Sequence, residues 1–217
     1  MLVAVAALAC ASTSPGAIHT SATTAIAGQS EPSYVAQARA DSVRLPYTAA
    51  DVQFMSGMIG HHAQAIVMSR WPPTHGASAS VLTLASRIIN AQQDEIVTMQ
   101  RWLGDRLQPV PEATAAGMKM KMNGMEHVML MPGMLTETQM KQLDAARGPE
   151  FDRLFLTFMI QHHRGAVSMV KDLFGSWGAG QDETVFKFAS DVNVDQTTEI
   201  ARMEKMLAAL TLGIPSQ

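Results

Sequence analysis

The chain repeats itself, and the repeat restricts the folds open to it. Asp51, Phe54, Met58-Ile59, His61-His62, Ala65 and Met68 recur as Asp152, Phe155, Met159-Ile160, His162-His163, Ala166 and Met169, at a constant offset of 101 residues (51 to 152). Gln92, Glu95-Ile96, Met99 and Leu103 recur as Gln196, Glu199-Ile200, Met203 and Leu207, at an offset of 104 (92 to 196). Ordered matches at two fixed offsets mark an internal duplication, so each half must fold as a similar unit.

Each half reads as two helices. Residues 48–70 carry helical periodicity and stop at Trp71-Pro72-Pro73, and Thr48 with Asp51 has the spacing of a capping box. Residues 78–106 form the second helix, ended by Pro109 and Pro111. Gly148-Pro149-Glu150 opens the third, with proline in the first turn, and Gly175 to Gly180 closes it after Phe174. The last covers about 182–210, and Leu135 to Arg147 forms a short extra helix. No segment is read as a strand. Four amphipathic helices in two hairpins predict an all-α four-helix bundle over 47–210, with halves 47–107 and 148–210 and a linker at 108–147.

A helix turns about 100° per residue, which sorts the histidines. His62 and His163 fall at the centre of their apolar arcs, with Met58 and Met159 one turn away. His61 and His162 fall on the flank, beside Met68 and Met169, toward a neighbouring helix or the rim. On the partner helices Glu95 and Glu199 sit in the middle of apolar arcs. Buried carboxylates are costly unless paired or metal-bound. Counted from the turn at residue 71, however, Glu95 stands more than two turns from His62. The expectation is therefore a mid-bundle cluster of His62, Met58, His163 and Met159, with Glu95 and Glu199 as secondary candidates. Imidazole with thioether suits copper, Cu(I) above all. The plainer uses are core histidines, an interhelix ion pair for the glutamates, and core packing for Met68 and Met169. Asp51 and Asp152 lie in first turns, where an acid complements the helix dipole. His19 and His75 are expected at the surface.

Between the halves, residues 118–134 hold seven of the chain's 17 methionines, including Met118, Met120, Met122 and Met125, together with His127. Clustered thioethers on an exposed linker can catch a soft cation, and these residues are read as candidate ligands. The net charge of −3 with no basic run excludes nucleic acid as a natural partner. The one cysteine, Cys10, excludes an intramolecular disulfide. It follows a short apolar run, so residues 1–10 read as a signal or lipobox-like leader and 11–46 as a Ser/Thr/Ala-rich tether. Two routes stay open: a lipid on Cys10, the chain's one route to a membrane, or cleavage after Ala27.

Met131-Pro132-Gly133-Met134, Phe151-Asp152 with Phe155-Leu156, and Met159-Ile160 ahead of His162-His163 and Gly165-Ala166 resemble a bacterial family long known as a domain of unknown function, which includes the periplasmic copper-binding protein CopM. The resemblance covers about 47–210. It implies a ferritin-like bundle, export to the periplasm and a role in copper homeostasis or resistance. Neither HH helix has Glu three residues before a His, a departure from ferritin-like di-iron proteins. The expectation is an exported protein that sequesters or delivers Cu(I) without catalysing a reaction, handing it to periplasmic copper-handling partners; homo-oligomerisation is left open. The alternatives are a ferritin-like metal oxidase using iron or copper with His and Glu ligands, and a metal-free helical interaction module.

Overall fold

The computed structural model describes residues 47–122 and 125–213 of the 217, so Cys10, His19 and the leader and tether lie outside the described residues. Its helices are α1 (Ala49–Ser69), α2 (Ala79–Asp105), α3 (Glu137–Ala145), α4 (Gly148–Gly175) and α5 (Glu183–Thr211). The four long ones form the expected bundle. Thr48 and Asp51 make the expected capping box at α1, and Pro149 sits in the first turn of α4.

Burial divides the four helices into two kinds. In α1, 15 of 21 residues are buried, against 9 of 27 in α2. The same contrast separates α4, with 15 of 28, from α5, with 6 of 29. A helix apolar on most sides needs cover on most sides. The two HH helices α1 and α4 therefore form the centre, with α2 packed on α1 and α5 on α4.

The core lies in two clusters. One joins Phe54, Met55 and Met58 of α1 to Met169, Val170 and Leu173 of α4. The other joins Ala65 and Met68 of α1 to Phe151, Phe155 and Met159 of α4. Early α1 thus meets late α4, and the reverse, so the central helices run antiparallel. The two hairpins are related by an approximate twofold axis across their middle. Matching ties repeat at both ends: Asp51 Oδ1 accepts from Gly180 N at 2.7 Å, and the Asp152 carboxylate accepts from Ser78 N at 3.1 and 3.2 Å. Both aspartates keep their first-turn positions, and each also fastens the other hairpin's loop.

The linker departs from expectation. Met118–Met122 (β1) and Met125–Met129 (β2) pair antiparallel, with Met118 opposite Met129, Met120 opposite His127 and Met122 opposite Met125. The signals were in the sequence: Met-Lys-Met-Lys-Met alternates with period two, and Asn123-Gly124 is a preferred hairpin connection. Downstream, Met131 and Met134 are buried, so the end of the linker is clamped down rather than exposed. Gln64 Oε1 accepts from Leu135 N at 2.7 Å, and Gln64 Nε2 donates to Leu135 O at 3.0 Å.

The loop lies flat on α4 at Gly165. A Cβ there would stand 1.9 Å from Pro132 O and 2.6 Å from Gly133 Cα. Both obstacles are backbone atoms, so no rotamer change relieves them. Gly165→Ala is expected to lift the Met131–Leu135 strap and cost about 3 kcal/mol, the upper end for overpacking. Thermal unfolding checks this: at a few degrees per kcal/mol, Tm should fall by about 6–12 °C. An unchanged Tm would mean that the strap is not clamped.

Candidate metal centre

The four repeated histidines are among the most deeply buried polar side chains. His61, His62, His162 and His163 are each fully buried. Of the two places expected for His61 and His162, a neighbouring helix or the rim, the structure takes the neighbouring helix. They are the pair that meets, across α1 and α4, with ring centroids 3.8 Å apart. These are equivalent residues of the two repeats, so the approximate twofold axis passes between them. His62 and His163 lie to either side, 6.3 and 6.2 Å from their sequence neighbours. The expected mid-bundle cluster is corrected. Met58 and Met159 are fully buried, but each packs into a different apolar cluster.

His62 and His163 turn instead to the glutamates. His163 Nε2 donates to Glu199 Oε2 at 2.7 Å, and His62 Nε2 lies 2.6 Å from Glu95 Oε2, off the hydrogen-bonding direction. The two-turn separation is thus overturned, and the reason is the position of the turn. Pro72–Thr74 form a 3-10 turn, and helical-type bonds continue through Thr74 N to Trp71 O and His75 N to Pro72 O. At the repeat offset of 101, that turn stands where the last turn of α4 stands in the other repeat. The chain therefore reverses nearer 75–78 than 71. Side chains also lean toward their own helix N-terminus. In an antiparallel hairpin, histidine and glutamate lean toward each other.

His61 Nε2 faces Pro132 O at 3.0 Å. A carbonyl only accepts, so Nε2 carries the hydrogen and Nδ1 of the neutral ring keeps its lone pair. Burial, followed by the positive charge His62 would carry, lowers the His61 pKa to about 3. His162 is also held well below the ordinary histidine value, first by burial and then by His61, His163 and His62. Ring nitrogens without a hydrogen-bond partner remain on every ring: Nδ1 of His61 and His163, and both nitrogens of His62 and His162. Buried polar atoms without partners are uncommon and costly. A metal ion accepts such lone pairs. Carbonyl or carboxylate contacts on the opposite nitrogen are the usual way of orienting a ligating imidazole. The residues present therefore fit a metal, although among the described residues no three His, Cys, Asp or Glu side chains converge as a formed site.

Other candidates are dispersed. Met68 packs in the cluster with Met159. Met169 lines a surface cavity of about 460 Å³ together with Met129 and Met131. Those two methionines belong to the Met-rich linker that the sequence marks as a source of candidate ligands. Met118, Met120, Met122, Met125 and His127 lie on the β1–β2 hairpin. His75, expected at the surface, is buried; its ring contacts Trp71 O, Thr74 Oγ1 and Asp144. The chain folds back there, and the ring packs 4.9 Å from Phe151.

A family model described as a domain of unknown function, DUF305, matches residues 51–207. This chain is a DUF305 protein. Among solved structures, the DUF305 fold here is similar to a fragment from Deinococcus radiodurans, with TM-score 0.62 and 28% identity over 76% of this chain and 99% of that one. It is equally similar to a DUF305 protein of Streptomyces coelicolor whose description classes it as secreted (TM-score 0.62, 28% identity, 77% and 96% coverage). CopM in its Cu(I)-bound form matches with TM-score 0.54 and 26% identity over 72% of this chain and 94% of CopM. A mimivirus protein, uncharacterized protein L153 of Acanthamoeba polyphaga mimivirus, is 41% identical over 56 residues, which span only 37% of its length. No helix among the described residues of this DUF305 chain is long and apolar enough to cross a membrane.

Proposed function

We propose that this DUF305 protein binds copper, taking Cu(I) through the paired histidines and holding or passing it on by way of methionine thioethers. The observation that carries the reading is the set of buried imidazoles around the twofold axis, each with an unpartnered ring nitrogen. Neutral imidazole and thioether are the donors that soft and borderline copper prefers. Copper-bound structures of CopM, the similar protein, support the choice of metal. The secreted description of a similar protein supports export. In this reading Glu95 and Glu199 orient rings rather than ligate, and the methionines of the linker and of the cavity beside Met169 exchange the ion with outside carriers.

Anaerobic Cu(I) titration against a chromophoric chelator tests it. His61→Ala with His162→Ala is expected to weaken the tightest site at least 100-fold while circular dichroism stays helical. Unchanged affinity and stoichiometry would sink the proposal.

One observation favours a second reading. Each outer histidine touches a carboxylate, so His62, His163, Glu95 and Glu199 form the mixed His/Glu set that a metal oxidase uses. Oxygen uptake on adding Fe(II) or Cu(I) would support that enzyme over a carrier.

A further inference from the structure

The groove between α2 and α5 lies on the same approximate twofold axis and contains a second constellation. It encloses about 250 Å³ and is lined by Gln92, Glu95, Gln196 and Glu199, with Asp195 beside them and Arg87 and Arg202 also on its walls. Gln92 and Glu95 are three residues apart on α2, as Gln196 and Glu199 are on α5. Each helix therefore offers an amide and a carboxylate on one face. Both pairs belong to the duplication, so the axis places one pair opposite the other.

Two facts point to a ligand here. Gln92 and Gln196 are 2% and 3% exposed, yet Oε1 of both and Nε2 of Gln92 have no hydrogen-bond partner. A buried amide without partners costs free energy that a leucine of similar size would not. Glu95 and Glu199, in turn, each place Oε2 on a histidine and keep part of the side chain, 21% and 26%, open to the groove. Their second oxygens are left for another partner.

We infer that this groove binds a hard divalent cation of the Mn(II) class through the Oε1 atoms of Gln92 and Gln196 and the carboxylates of Glu95 and Glu199. Oxygen donors of this kind suit Mn(II) or Mg(II) and are poor ligands for Cu(I). The site differs from the histidine centre in donor type and in its exposure to solvent. Glu95 and Glu199 are shared between them. Two glutamates with Asp195 supply three negative charges, and Arg87 and Arg202 offset part of that charge; the net favours a cation.

Mn(II) titration of the metal-stripped full chain, followed by loss of the free-ion EPR signal, tests the inference. Wild type should bind one Mn(II) per chain. Gln92→Leu with Gln196→Leu should weaken binding at least tenfold and leave the helical signal and Cu(I) stoichiometry unchanged. The His61→Ala, His162→Ala double variant should retain Mn(II) within about twofold, so that failure of the copper reading and failure of this one are read separately. No Mn(II) uptake by wild type at millimolar metal, or unchanged uptake by the glutamine variant, would overturn the inference. Loss of Mn(II) in the histidine variant would assign the ion to the histidine centre and overturn it as well.

Discussion

Lowering the pH from 7.5 to 5 is expected to destabilise the metal-free protein by about 2 kcal/mol through His61, with His162 adding in the same direction. His61 is neutral in the folded state down to pH about 3. In the unfolded chain the same ring protonates below about 6.5. Between those values the unfolded state binds the extra proton, so acid favours unfolding and stability rises with pH. The limiting slope is about 1.4 kcal/mol per pH unit per ring. His162 adds to it in the same direction, being held well below its ordinary value by burial and by the neighbouring rings. Folded domains hold only about 5–15 kcal/mol in reserve, so this loss is large. Urea unfolding at pH 7.5, 6 and 5 measures it. His61→Gln with His162→Gln should flatten the profile over that window. A variant with the wild-type slope would place the acid sensitivity elsewhere. If the copper proposal holds, bound metal should protect, because metal and proton compete for the same lone pairs.

Asp182→Ala is expected to cost about 3–5 kcal/mol, the range for breaking a buried charge pair. Asp182 is the N-cap of α5, accepting from Thr184 N and Val185 N. It also accepts from Trp102 Nε1 at 3.0 Å and pairs with Arg106, both at the far end of α2. At 1% exposure it therefore ties the first hairpin to the second. Burial pushes its carboxyl up, but hydrogen bonds from Trp102, Val185 and Arg106 outweigh that and hold it below the ordinary value. This stabilisation is present above the unfolded carboxyl pKa and is lost as pH falls through the lower folded one. Removing the carboxylate leaves an indole N–H and a guanidinium, 11% exposed, without their partner. Asp182→Asn should lose less, since it keeps one acceptor. Chemical denaturation of both variants at pH 7 measures the order; equal losses for Ala and Asn would remove the charge from the account.

The duplication, the four long helices and the short α3 were legible because periodicity, caps and prolines act locally. The HH pairs were legible as a site because they recur at equivalent positions. The Met118–Met129 hairpin was legible too, in its alternation and Asn-Gly, but was masked by reading the methionines only as ligands. The division of labour within each HH pair was not legible. Helical phase tells which way a ring points relative to its own helix. It does not tell which neighbour lies there.

The sequence by itself determined that the chain folds as two equivalent helical hairpins in a bundle, because the same periodicity and helix ends recur at two fixed offsets. Tertiary structure alone decided that His61 meets His162 while His62 and His163 turn to Glu95 and Glu199. That choice depends on where α1 crosses α4 and on one 3-10 turn at Pro72–Thr74, which sets the heights of the helices. Both are properties of packing across the whole bundle, and no local stretch of residues encodes them.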